Sequence, residues 1–68
     1  MENEVLLYVE GMRGQECENK IVAEITQMPG VELVQANARQ GTVSVTGGDL
    51  DQRGIVDAVE ALGYLTLH

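Results

Sequence analysis

Cys17 is the one cysteine among the 68 residues of this chain, and its thiol is the side chain best suited to chemistry. It follows a glycine-rich segment, Gly11-Met12-Arg13-Gly14, and lies at the start of a run with helical apolar spacing. A thiolate is a nucleophile and a soft ligand of the kind that Cu(I) selects. The positive end of a helix lowers the pKa of such a thiol, whereas the flanking Glu16 and Glu18 oppose this effect by like-charge repulsion. We therefore expect a thiol of moderate reactivity.

The residues alone leave two interpretations of Cys17 open, a metal ligand or a small buried hydrophobe at the end of a helical stripe. Met12 carries a second sulfur nearby, but a single thioether is a weak ligand, which favours a packing role for Met12. His68 is the only histidine. One cysteine with one distant histidine does not make a zinc site, which needs four ligands at paired spacings.

Four segments that would position this thiol have the alternating apolar pattern of β-strands. In the first, Val5, Leu7 and Val9 point to one side. A turn at Gln40-Gly41 is expected to join the middle two strands as a hairpin, and Gly47-Gly48 is expected to end the third. The predicted strands are Glu4–Val9, Val31–Ala38, Thr42–Thr46 and Tyr64–Leu67.

Two segments have the apolar spacing of amphipathic helices. The first is predicted to run from Cys17 to Met28 and to end at Pro29-Gly30, because proline denies the helix a donor. The second is predicted to begin after an N-cap at Asp51 and to end before Gly63 in a left-handed conformation. The predicted buried stripes are Cys17, Ile21, Ile25 and Met28 in the first helix and Ile55, Val59 and Leu62 in the second.

The resulting order, βαββαβ, predicts a single domain over residues 1–68 with an α+β, ferredoxin-like fold. In this open-faced sandwich a four-stranded antiparallel sheet carries both helices on one face. The predicted core between sheet and helices consists of Val5, Leu7, Val9, Ile21, Ile25, Val34, Ala36, Val43, Val45, Ile55, Val59 and Leu62.

The loop before the first helix resembles the metal-binding loop of the heavy-metal-associated domain, a family found in copper chaperones and metal-pumping ATPases. The family motif is Gly-Met-x-Cys-x-x-Cys; here Gly11-Met12 and Cys17 are in register, but Gly14 replaces the first cysteine. The resemblance continues through residues 28–31 and 57–64 and covers nearly the whole chain without an insertion.

This resemblance implies a metallochaperone-like domain with a degenerate site. In the family, the two cysteines hold Cu(I) in near-linear geometry, and a third thiolate from a partner can enter during handover. Cys17 matches the second ligand, Met12 a residue that packs inward and shapes the loop, and Tyr64 a residue near the metal. Because Gly14 has no sulfur, we expect weak Cu(I) binding in the monomer.

A second sulfur from another molecule would complete such a site. It could come from a homodimer formed through Cys17. It could equally come from a metal-transporting ATPase or another metal-binding domain that keeps both cysteines.

The composition limits the partners of the chain. Eleven Asp and Glu residues face four Lys and Arg residues, which gives a net charge of −7. This charge excludes nucleic acid, whose binding depends on neutralising phosphates, and favours a basic protein face as partner. No apolar run approaches the roughly 18 residues that span a bilayer, so neither membrane insertion nor a location outside the cytoplasm is expected. A single cysteine excludes an internal disulfide, which suits a reducing cytosol.

Two alternative functions belong to other classes. One is a metal-independent protein-interaction module that uses the acidic surface and the sheet face bearing Leu6 and Tyr8. The other is an enzyme in which Arg13 and the glycine-rich loop hold a phosphate, as in small acylphosphatases of the same topology. Acidic residues on both sides of the loop, Glu10 and Glu16, disfavour phosphate binding, so we do not expect an enzyme.

Overall fold

The structure is a computed structural model that describes residues 2–67. The order of its elements confirms the predicted βαββαβ, ferredoxin-like α+β fold. The strands are β1 (Glu2–Glu10), β2 (Val31–Asn37), β3 (Thr42–Gly48) and β4 (Leu65–Leu67), and the helices are α1 (Gln15–Thr26) and α2 (Gln52–Ala61).

The four strands form one antiparallel sheet in the order β2-β3-β1-β4. β1 is therefore an inner strand, paired with β3 along most of its length and with β4 near its end. Both helices pack on the sheet face that carries Leu7, Val9, Val43 and Val45. The opposite face of the sheet has no covering layer among the described residues.

The core between sheet and helices is almost entirely the predicted one. Val5 and Ala36, also predicted to be in the core, are half-buried and pack against it. The buried residues are Leu7, Val9, Ile21, Ile25, Val34, Val43, Val45, Ile55, Val56 and Val59. All of these except Val56 were expected from the period of their element.

The prediction that Leu62 belongs to the core is wrong, because this residue is 37% exposed. α2 ends at Ala61, and Leu62 is its C-cap residue, where the chain turns into Gly63. Val56 completes the buried stripe of α2 instead. It lies one residue after Ile55 and three before Val59, which places it on the same helix face.

The prediction that Gly47-Gly48 ends the third strand is also wrong, since both glycines belong to β3. Gly47 is buried between strands and is paired with Asn3 of β1 and Val31 of β2. A Cβ atom on Gly47 would collide with the carbonyl oxygen of Gly30. Gly47 is needed because the segment before β2 approaches the β3 backbone closely, and neither glycine interrupts the ladder with β1.

The helix boundaries differ from prediction by about one turn or less. α1 begins at Gln15 and ends at Thr26, so Met28 lies beyond its end, half-buried against the core. Asp51 is the N-cap of α2 as predicted, although its side chain makes no capping hydrogen bond. Gly63 follows α2 in the left-handed conformation, with φ of 102°, as expected.

Candidate metal site

The loop between β1 and α1 is shaped by a close approach of its first residue to Tyr64. Gly11 has φ of 104°, a conformation that favours glycine. A Cβ atom at this position would lie 3.3 Å from Cδ1 of the Tyr64 ring. Gly11 therefore lets the tyrosine, which follows α2, lie against the loop that precedes α1.

Cys17 lies in the first turn of α1, half-buried, with a free thiol. A hydrogen bond from the Tyr64 hydroxyl lowers the pKa of the Cys17 thiol below its ordinary value. The backbone N–H groups of Arg13 and Gly14 and the charge of Lys20 also lower this pKa, and partial desolvation opposes them. The site therefore stabilises the thiolate, the form that binds soft metals, relative to an ordinary cysteine.

The same hydrogen bond raises the pKa of Tyr64. When the phenol ionises, it loses the proton that it donates and places a second negative charge beside the sulfur. The tyrosine hydroxyl can therefore stabilise the thiolate only while it keeps its own proton.

The carboxylate of Glu18, which we expected to repel the thiolate, is engaged elsewhere. Its Oε2 accepts a hydrogen bond of 2.6 Å from the backbone N–H of Ala38, just after β2. Glu16 is exposed. The acidity of Cys17 is thus set mainly by the Tyr64 hydroxyl, a donor 47 positions along the chain that no local spacing could identify.

Gly14, which the resemblance in sequence aligns with the first cysteine of the family motif, is the N-cap of α1. Its backbone is extended, with φ of 165°, so any residue can adopt it, and a Cβ atom would meet nothing within 4 Å. The space for a second side chain is present, but the sulfur is not. Met12, the other sulfur of the loop, is half-buried and packs against the core.

Residues 2–67 contain no group of three or more His, Cys, Asp and Glu side chains that could hold a metal ion. His68, the one histidine, lies outside the described residues. The structure therefore brings together Cys17 and Tyr64 at the edge of the loop and places Met12 in a packing position. It presents one sulfur for a soft metal.

Residues 6–64 match the family described as Heavy-metal-associated domain. The chain belongs to this family. Heavy-metal-associated domains bind or transfer metal and are not enzymes, which confirms that the chain is not an acylphosphatase-like catalyst. Neither helix within residues 2–67 is long and apolar enough to cross a membrane. No curated protein matches the chain at a significant level.

Several solved structures superpose closely on this one. The CopZ metallochaperone has a TM-score of 0.92 and 28% identity, over 96% of this chain and 100% of CopZ. The N-terminal domain of PacS from Synechocystis PCC6803 has a TM-score of 0.84 and 31% identity, over 96% and 94%. A copper-binding domain from the P-type ATPase HMA7 has a TM-score of 0.88, over 98% of this chain and 92% of that domain. At 20% identity, this likeness shows the fold alone.

Proposed function

We propose that this heavy-metal-associated domain carries a soft metal such as Cu(I) through Cys17, with a second sulfur from another molecule. The observation that carries the proposal is the place of Cys17 in the first turn of α1 of a heavy-metal-associated domain, beside the Tyr64 hydroxyl and two loop amides that lower its pKa. A cysteine kept only for packing would gain nothing from these donors, whereas a metal ligand must be deprotonated.

The second sulfur has to come from outside the chain. Gly14 supplies none, and the thioether of Met12 is directed to packing. Two domains that meet at Cys17 would provide two thiolates, and a partner that keeps both its cysteines would provide the same chemistry.

Membership of the heavy-metal-associated family and the 28% identity with the CopZ metallochaperone support a metal-transporting ATPase or another metal-binding domain as partner. A net charge of −7 supports a basic face on that partner, and a cytoplasmic location suits a free thiol.

Competition for Cu(I) against a chromogenic chelator, with molecular mass measured in the same samples, tests the proposal. The monomer is expected to lose the competition, and bound copper is expected to appear with a dimeric mass. Cys17→Ser should remove both the bound copper and the dimeric mass. A tight complex of one metal and one chain, at the monomeric mass and without added thiol, would contradict the proposal.

Gly14→Cys tests the same site by restoring it. The extended backbone and open space at Gly14 should accept the side chain without strain, and tight Cu(I) binding should appear in the monomer. Gly14→Ser is the matched control, because it adds a side chain of the same shape without a soft ligand. If Gly14→Cys folds but binds Cu(I) no better than Gly14→Ser, the loop geometry does not support a two-sulfur site.

A second candidate function is the metal-independent interaction module, favoured by the exposed apolar side chains on the uncovered sheet face. Cys17→Ser separates the two functions. The interaction module would keep its binding partner after this substitution, whereas the metal carrier would lose its cargo.

A further inference from the structure

The sheet face opposite the helices carries four exposed apolar side chains on two adjacent strands, which we call the β1–β4 patch. Its members are Leu6, Tyr8, Leu65 and Leu67, with exposures of 52%, 53%, 63% and 49%. Tyr8 is paired directly with Leu67 across the two strands. Directly opposed residues on one face have Cβ atoms about 5 Å apart, so these side chains form a continuous surface.

The two charged residues on the outward side of β1 beside the β1–β4 patch are both acidic. Glu4 and Glu10 lie on either side of Leu6 and Tyr8 along the outward side of β1, and both glutamates are exposed. None of the four strands contains a Lys or Arg residue. The basic residues of the chain all lie in loops, turns or helices: Arg13, Lys20, Arg39 and Arg53.

We propose that the β1–β4 patch docks a protein segment that presents apolar side chains flanked by Lys or Arg. The apolar residues would cover the patch, and the basic residues would neutralise Glu4 and Glu10. A second copy of this chain fits less well, because it would bring the same carboxylates together without a cation. An anionic membrane surface is repelled for the same reason.

This docking surface does not depend on the metal site. Cys17 lies in the first turn of α1, on the side of the sheet that the helices cover, whereas Leu6, Tyr8 and Leu67 face away from the helices. A partner on the patch would leave the thiol accessible. The proposal therefore goes beyond metal carriage, and failure of either one leaves the other standing.

Titration of the isotope-labelled full chain with a synthetic amphipathic helix of leucine and lysine, followed by amide chemical shifts, tests the proposal. A peptide of the same pattern with glutamate in place of lysine is the charge control. The lysine peptide should shift amides of β1 and β4, and the glutamate peptide should not.

Leu6→Ser and Leu33→Ser form a matched pair for this titration. Leu6 and Leu33 are 52% and 53% exposed on the same sheet face, but Leu33 lies on β2, two strands away from β1. Leu6→Ser should lower the affinity for the lysine peptide about tenfold, because the peptide would no longer bury a half-exposed leucine. Leu33→Ser should leave the affinity unchanged.

Several outcomes would overturn the proposal. They are equal weakening by both variants, shifts confined to α1 and α2, and equal binding of the glutamate peptide. Self-association that Leu6→Ser abolishes, without peptide binding, would instead assign the surface to a second copy of the chain. Because both leucines are exposed, both variants should fold normally. Amide chemical shifts as widely dispersed as those of the parent chain would verify this.

Discussion

The Cys17 thiol gains acidity from a donor at the far end of the chain. The Tyr64 hydroxyl is the largest of the influences that lower its pKa, ahead of the loop amides and Lys20. This arrangement stabilises the thiolate with a neutral group. A lysine or arginine in the same place would stabilise it more strongly but would also repel an incoming cation.

Tyr64→Phe should raise the pKa of the Cys17 thiol, because the hydroxyl that donates to the thiolate is removed. The rate of alkylation by iodoacetamide, measured against pH, should shift its midpoint upward and fall at neutral pH. Tyr8→Phe is the control, since Tyr8 lies on the uncovered sheet face and the two tyrosines are the only ones in the chain. An unchanged midpoint in Tyr64→Phe would show that the loop amides and Lys20 set the acidity without the tyrosine.

The lowered thiol pKa also links this site to stability. The folded chain holds the Cys17 thiolate more favourably than the unfolded chain does. The resulting stabilisation is fully present above the unfolded thiol's pKa and is lost as pH falls through the lowered folded value. Tyr64→Phe should therefore reduce the free energy of unfolding more at alkaline than at neutral pH.

At the scale of elements, one side chain joins α1 to the end of β2. Glu18 accepts the short hydrogen bond from the Ala38 amide across twenty residues of sequence. Because the carboxylate satisfies a backbone donor that follows the strand, it fixes how the helix lies beside the hairpin.

Glu18→Ala should lower the free energy of unfolding by about 1.5–3 kcal/mol, the net value of a hydrogen bond to a charged group. Urea unfolding followed by circular dichroism would measure it. Glu16→Ala is the matched control, an exposed glutamate two residues away in the same first turn. Equal losses in the two variants would mean that the effect comes from helix electrostatics, not from the bond to Ala38.

Gly47→Ala should destabilise the fold by at least about 2 kcal/mol, because the new methyl group meets backbone atoms that cannot rotate away. The denaturation midpoint should fall accordingly. Gly14→Ser should have little effect, since the position is open and serine is a favourable N-cap. Near-native stability of Gly47→Ala would show that Gly30 can withdraw from β3 at little cost.

The elements with clear periodicity could be predicted from the sequence, including nine of the ten buried core residues. Gly47 was misassigned because its role depends on the approach of Gly30, which the local sequence does not reveal. Leu62 was misassigned because it fits the helical period but lies one residue past the end of α2. The proximity of Tyr64 to Cys17 was expected from the family resemblance alone, since local spacing cannot show that the residue before β4 lies beside the first turn of α1.

At the scale of the whole molecule, the net charge of −7 is confined to a body of 32 × 20 × 18 Å. Like charges at these separations repel one another at low ionic strength, where the Debye length of roughly 30 Å matches the length of the molecule. The net negative charge therefore destabilises the folded state by repulsion between like charges.

Raising the salt concentration from about 0.01 M to about 0.15 M should raise the melting temperature by roughly 2–4 °C, because the Debye length falls to about 8 Å. Calorimetry at the two concentrations measures the shift. Choline chloride is the control and should act like sodium chloride if screening is the cause. A melting temperature that falls with salt would show that attractive pairs outweigh the net repulsion.

The short length of β4 implies that the surroundings of the Cys17 thiol change with time. β4 is an edge strand of three residues held by β1, and such edges open locally at a smaller free energy than inner strands. Each opening would withdraw Tyr64, the residue just before β4, from Cys17 while the core stays closed. The thiol would then have a lower pKa while β4 is closed and a higher pKa while β4 is open. The equilibrium constant for this opening, obtained from amide hydrogen exchange in Leu65–Leu67, should equal the one that relates the two states of the thiol.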